Sequence, residues 1–316
     1  PRRRDHLRHL GHGAGEEGSA RGLRRPSRHD SDGGRAARRR RRRRPGLIQL
    51  PPALDWWREE PGGPEWLERL PGIVEELTDR WALELEEPVD TAHSFVAMAG
   101  DAVLKVNFPD EESEFEPQAF ERWNGVGAAR LLAKDDDLRA YLVERLRPGR
   151  QLWELPDDEA TEIAAGVLEQ LWVPAGEPFR RLEDAAAQWV EELPRRGFER
   201  ELVDPVVAFL RAAGPTQRES VLMHQDFHGG NVLLSQRGWL AIDAKPLVGE
   251  REFDVASLIR DRRPTTKAAM ERRLDYLVDR LSLDRERTRG WAIAHALAWN
   301  GDSGMVECAR LLTGRR

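Results

Sequence analysis

The chain has 316 residues and a net charge of −6, but residues 1–46 hold sixteen Arg against five Asp or Glu, which leaves −17 on the other 270. The single cysteine, Cys308, excludes an internal disulfide framework and fits a reducing compartment. No apolar run approaches the ~18 residues of a membrane span, and the Arg-rich start lacks the apolar stretch of a secretory signal, so a cytoplasmic protein is expected.

Residues 1–46 are mostly Arg, Gly, Ser and Asp, with an uninterrupted block from Arg38 to Arg44. Such a composition buries too little apolar surface to offset ordering entropy, so a disordered, functionally silent tail is expected. A nucleic-acid arm is the sharper alternative, since clustered Arg neutralises phosphates, but no aromatic residues interleave for base stacking. A start of translation placed too far upstream is a third.

The ordered part is expected to begin near Leu54, after Pro51–Pro52. Trp66, Leu67, Leu70, Ile73, Val74, Leu77 and Trp81 recur at helical spacing and predict a helix over Pro64–Ala82. Short strands follow at Leu83–Glu86, Phe95–Ala99 and Ala102–Val106, the last two joined by a Gly100–Asp101 turn. A helix is expected over Glu111–Trp123, then strands at Arg130–Ala133 and Tyr141–Leu146, closed by Pro148–Gly149. Helical periods then dominate Asp157–Leu171, Phe179–Leu193 and Glu199–Ala213, and again Phe253–Arg262, Lys267–Leu281, Arg285–Trp299 and Met305–Leu312. The β-rich stretch Val221–Asp243 interrupts them. This predicts an α+β fold in two lobes, a nucleotide-binding lobe over 47–147 and a helical lobe over 148–316, with a cleft between.

The chemistry concentrates in Val221–Asp243, VLMHQDFHGGNVLLSQRGWLAID. Its polar residues lie in a loop between strand-like runs, and the run Trp239–Ile242 ends on Asp243. Asp226, Asn231 and Asp243 supply a carboxylate to deprotonate a hydroxyl and oxygen ligands for Mg²⁺, the set that phosphoryl transfer needs. Gly229–Gly230 is expected to provide a tight turn that lets Asp226 and Asn231 face one cleft. Two other readings compete: a plain polar hairpin, and a zinc site of His224, Asp226 and His228, against which the flanking strands and glycines argue.

The run from His224 to Asn231, HQDFHGGN, resembles the catalytic loop of the aminoglycoside phosphotransferases, whose fold is protein-kinase-like. The run from Trp239 to Glu250, WLAIDAKPLVGE, is similar to the streptomycin 6-phosphotransferase and hydroxyurea-resistance kinase branch. The resemblance covers roughly Leu54 to Leu312 and is closest in the C-terminal half. It implies an ATP- and Mg²⁺-dependent kinase with Asp226 as base, Asn231 and Asp243 on the metal, and His224 and His228 orienting the loop. Asp254 would brace that loop from the next helix. Lys245 is left between a phosphate contact and a plain surface charge.

On the nucleotide side, Lys105 stands on an alternating strand and is one of only four lysines among fifty basic residues. In kinases a strand lysine grips the α/β-phosphates and pairs with a helix glutamate. Glu116 is the favoured partner, with Glu114 and Glu121 as alternatives, because Pro117 biases Glu116 toward the helix start. A phosphate-covering turn is expected over Thr91–Ala97 without glycines, with Ser94 as its donor. The stretch Tyr141–Leu146 resembles the interlobe hinge, so backbone groups of Glu144 and Leu146 would meet the adenine. An acidic body suits a polycationic acceptor, and streptomycin with its two guanidinium groups fits; hydroxyurea or another small alcohol is the alternative. Candidate acceptor-site groups are Asp261, Asp302, Glu307 and Trp299.

Overall fold

A 3₁₀ segment, Pro52–Glu59, leads into α1 (Gly63–Arg80), whose Leu70, Val74 and Leu77 recur at helical spacing and are fully buried. In this computed structural model residues 48–261, 266–299 and 303–314 are described. The expectations for the Arg-rich stretch 1–46 and for Asp302 lie outside the described residues. After α1 come β1 (Pro88–Val89), β2 (Ser94–Ala99), β3 (Ala102–Asn107), α2 (Glu116–Trp123), β4 (Leu131–Asp135) and β5 (Ala140–Glu144). The five strands form one antiparallel sheet, β1-β2-β3-β5-β4, in which Lys105 lies opposite Val96 on one side and Tyr141 on the other.

The pleat of this sheet positions the site. Phe95, Ala97, Leu104, Val106, Ala140 and Leu142 join the α1 side chains in one buried cluster. Tyr141 and Val143 point the other way and pack with Ala119, Phe120 and Trp123 of α2 in a second, larger core. Side chains alternate along a strand, so Lys105, between Leu104 and Val106, is turned away from α1. Burying each Leu or Val there contributes about 1.5–3 kcal/mol, enough to fix the register that presents Lys105.

The rest of the chain adds β6 (Pro148–Gln151), α3 (Asp157–Leu171), β7 (Arg180–Arg181), α4 (Leu182–Glu192) and α5 (Arg200–Ala213). There follow β8 (Val221–Met223), β9 (Val232–Ser235), β10 (Gly238–Ala241), β11 (Leu247–Gly249), α6 (Arg251–Asp254), α7 (Ala256–Ile259), α8 (Lys267–Leu281), α9 (Arg285–Ala298) and α10 (Ser303–Thr313). Two small sheets, β10-β9-β6 and β7-β11-β8, carry the loops of the candidate site among these helices. A sheet-rich N-terminal part and a helical C-terminal part make the fold α+β. No helix among the described residues is long and apolar enough to cross a membrane.

Several expected elements differ. Residues 83–86 are not a strand: Leu83 and Leu85 pack against the α1 core, and only the Glu86 N–H reaches the sheet, on Met98 O at 2.8 Å. The helix expected from Glu111 starts at Glu116, because Asp110 holds Ser113 in a turn and Pro117 belongs to the first helical turn. Residues 94–97 are strand rather than loop, which leaves Asp90–His93 as the connection from β1 to β2. Pro148 and Gly149 do not close the sheet; they open β6, which pairs with β9. Arg180 and Arg181 form β7 beside β11, so the helix after them begins at Leu182. The helix expected over 253–262 is instead α6 and α7, which meet at Val255, with side chains of both reaching back to the catalytic loop.

Candidate active site

The strand lysine and the helix glutamate meet in the interior. Lys105 Nζ lies 2.8 Å from both carboxylate oxygens of Glu116, and Asn107 Nδ2 donates to Glu116 Oε2 at 2.8 Å. Lys105 and Asn107 are two apart on β3 and therefore share a face. Glu116 is fully buried, so each of its oxygens requires these donors. Glu114 pairs with Arg139 and Glu121 with Lys134, which leaves neither of them on Lys105.

Lys105 also donates to Asp243, which follows β10. Burial alone would push the Lys105 ammonium down, but the Asp243 and Glu116 carboxylates outweigh it and hold it above the ordinary lysine range. For Asp243 burial acts upward, and Lys105 and Lys245 outweigh it, so its carboxyl lies well below the ordinary range. Burial and the same two carboxylates push the Tyr141 phenol up. Asp243 has φ 60°, a left-handed conformation that turns the chain sharply after β10.

The loop from His224 to Asn231 is fastened at many points. His224 is fully buried; its Nε2 bonds Ile242 O at 2.8 Å and its ring stacks on Trp123. Burial outweighs the neighbouring Asp254 and Asp226 carboxylates and lowers its pKa, so the ring is neutral and donates that bond. Gln225, at φ 65°, gives its N–H to Asp254 Oδ1 at 2.8 Å and receives Ser257 Oγ on its carbonyl at 3.2 Å. Those bonds hold a conformation that costs about 1–3 kcal/mol in isolation. Asp254 is fully buried and takes Trp172 Nε1 on its second oxygen at 2.9 Å, while burial raises its pKa.

Asp226 is half-buried. Asn231 Nδ2 donates to its backbone carbonyl at 3.0 Å and faces its carboxylate at 3.4 Å. His228 Nδ1 accepts the Gly230 N–H at 3.0 Å, which leaves the proton on Nε2, 3.9 Å from Asp226 Oδ1. Ile242 N bonds Asn231 O at 2.9 Å and Lys245 N bonds His224 O at 3.0 Å. Contacts therefore run from Glu116 through Lys105 to Asp243, and the Ile242 N–H on Asn231 O ties the residue before Asp243 to the Asn231–Asp226 pair. Asn231 and Asp243 offer an amide and a carboxylate oxygen, the hard donors that suit Mg²⁺. Among the described residues no group of three or more His, Cys, Asp or Glu gathers to hold a metal, which removes the zinc reading.

Gly229 and Gly230 form the expected tight turn, closed by the Asn231 N–H on His228 O at 2.9 Å, and do so without a left-handed backbone. They are needed for close approach: a Cβ on Gly230 would lie 2.7 Å from the Trp153 ring and 2.9 Å from His228. One on Gly229 would lie 2.9 Å from Trp153 N and from Asp261 Oδ2. The Asp261 carboxylate accepts the Gly229 N–H at 2.7 Å, so this acceptor-site candidate does sit against the loop. Glu307 lies on α10 near Arg310, and Trp299 packs on His295.

Ser94 is buried at the start of β2, opposite Asn107. Glu144 gives its N–H to Arg130 O at 2.9 Å, and its carboxylate takes Arg130 N and pairs with Arg237, bracing the connection between sheets. Leu146 follows, buried, in the segment leading to β6. Sequence reasoning missed Asn107, Tyr141, Trp153 and Trp172. Only Asn107 carried a readable signal, two residues from Lys105 on one strand.

A strand lysine on a buried helix glutamate, facing an Asp after a hairpin and an Asp–Asn loop, is the arrangement of a protein-kinase-like fold. A thermostable mutant of aminoglycoside phosphotransferase APH(4)-Ia, crystallised with ADP and hygromycin B, superposes with a TM-score of 0.53 at 17% identity, over 76% of this chain and 95% of that one. Residues 80–305 match the aminoglycoside/hydroxyurea antibiotic resistance kinase family, and the chain belongs to it. It is 34% identical to a streptomycin 6-kinase of Streptomyces glaucescens over 268 residues, 77% of this chain and 86% of that protein. It is 35% identical to a hydroxyurea phosphotransferase of Kitasatospora aureofaciens, again over 268 residues and 77% of each.

Proposed function

We propose that the protein transfers the γ-phosphoryl group of ATP to the 6-hydroxyl of streptomycin, with Asp226 as the base. The observation that carries this reading is the pair of linked groups Glu116–Lys105–Asp243 and Asn231–Asp226, tied by the Ile242 N–H on Asn231 O, which supports a phosphate-gripping cation, two hard oxygen ligands and a carboxylate acting in one site. Lys105, released from Asp243, holds the α/β-phosphates while Glu116 keeps it in place. Asn231 and Asp243 would hold Mg²⁺, which neutralises phosphate charge when bound. Asp226 orients the acceptor hydroxyl and takes its proton; His228 and Asn231 fix its carboxylate. Ser94 contributes to the phosphate side, and Glu144 and Leu146 meet the adenine through their backbone. The expected site of action is the cytoplasm, where ATP is supplied.

A second reading, a kinase of hydroxyurea, is favoured by the equal likeness to a hydroxyurea phosphotransferase. Purified protein incubated with ATP and Mg²⁺ and either streptomycin or hydroxyurea separates the two by the mass of the product. A phosphorylated streptomycin is expected. Product from hydroxyurea alone would replace the first reading with the second, and failure to bind ATP would sink both.

A further inference from the structure

The turn Leu152–Glu154 between β6 and α3 carries a tryptophan that the phosphoryl-transfer set does not use. Leu152 is fully buried and anchors the turn, whereas Trp153 is 38% exposed. Its position is nevertheless fixed. Trp153 N donates to Gly229 O at 3.2 Å, Nε1 donates to Gln151 Oε1, and Gln151 Nε2 reaches Gly230 O at 3.5 Å. The indole lies on the His228 ring, 18° from parallel with centroids 5.6 Å apart, and His228 Nε2 is 3.9 Å from Asp226 Oδ1. The missing Cβ atoms of Gly229 and Gly230 are what admit this packing. Offset on His228, Trp153 thus keeps part of its surface open one ring away from Asp226.

We infer that the open surface of the Trp153 indole is the platform on which a guanidinium group of the acceptor is seated beside Asp226. This rests on the streptomycin-kinase reading above and adds the subsite for its acceptor. An aromatic face attracts a planar cation through its quadrupole, and guanidinium groups stack on such faces. A Trp held by backbone and side-chain hydrogen bonds on both sides needs no ordering when the acceptor arrives. Trp153 is thus an acceptor-binding residue whose effect falls on the acceptor rather than on the nucleotide.

The test is steady-state kinetics of the full chain with ATP, Mg²⁺ and streptomycin for wild type, Trp153→Leu and Trp153→Phe. Trp153→Leu should raise the streptomycin KM by about 5- to 30-fold, the span from an exposed to a desolvated cation–π contact. The ATP KM should stay within twofold, and Trp153→Phe should recover most of the loss. A streptomycin KM within twofold of wild type in Trp153→Leu overturns the inference, as does an equal rise in the ATP KM, which marks damage to the loop. Wild type that fails to turn over streptomycin removes the acceptor reading and this inference with it. Normal wild-type turnover with an unaffected Trp153→Leu removes this inference alone.

Discussion

Glu116→Gln tests whether the lysine is held from the helix. Glu116 has no exposed surface and receives three hydrogen bonds from two donor groups, two from Lys105 and one from Asn107, all at 2.8 Å. A glutamine in its place has one acceptor oxygen and one NH₂ group. Whichever way it is turned, a donor faces Lys105 or Asn107, and the buried ammonium loses half its countercharge. Removing one partner of a buried ion pair costs about 3–5 kcal/mol. The lower end applies, because Asp243 still pairs with Lys105. A loss of about 3 kcal/mol lowers Tm by roughly 5–6 °C for a folded unit of this size. The freed lysine is drawn onto Asp243, the residue read as a metal ligand, so kcat/KM for ATP should fall by at least ~100-fold, worth about 2.7 kcal/mol. Thermal unfolding by circular dichroism and initial-rate kinetics measure the two effects. Glu116→Asp keeps the charge but is one methylene too short for the two-oxygen contact, and should lie between. A Tm within 2 °C of wild type together with ATP kinetics within threefold would refute the argument.

Asp226→Asn should reduce turnover by about 10²- to 10⁴-fold while ATP affinity, followed by calorimetry, stays within twofold; retained turnover would remove its role as base. Gly230→Ala places a methyl against the Trp153 ring and His228, and should lower kcat by about tenfold or more with little change in the ATP KM; unchanged kcat would show that the loop yields freely. Asp254→Asn leaves either the Gln225 N–H or Trp172 Nε1 without its acceptor, and should cost about 1–3 kcal/mol in urea unfolding; an unchanged midpoint would count against the brace. His295 is buried, accepts Arg260 at 2.6 Å, and has its pKa pushed well down by burial and by that guanidinium. The unfolded chain therefore binds the extra proton: the stability from this group is fully present above about pH 6.5 and is lost as pH falls toward the folded value. The drop in Tm from pH 7 to pH 5 should accordingly shrink in His295→Phe, and an equal drop in both proteins would refute the assignment.

What the sequence made legible is what local pattern controls. The helices Asp157–Leu171 and Lys267–Leu281 have the limits that their apolar spacing predicts, and the strand carrying Lys105 follows from its alternation with Leu104 and Val106. The pairing of Lys105 with Glu116 rather than Glu114 or Glu121 was legible only in outline, because it depends on where α2 begins. That start is set by Pro117 and by the turn that Asp110 makes with Ser113. Long-range contacts left no local trace. Leu83–Glu86 has strand composition but is spent on the α1 core, and β6 and β7 exist only because β9 and β11 lie beside them. Gly229 and Gly230 show the same limit most sharply. Read locally, two glycines in a polar loop mean a turn. In the fold they do make that turn, but what the local reading misses is the absence of two Cβ atoms where a tryptophan from a turn some seventy-five residues earlier in the chain comes to rest. The residues that place Asp226 are therefore read from its neighbours in space, and a loop taken without Trp153, Asp254 and Trp172 would have the right chemistry without the means to hold it.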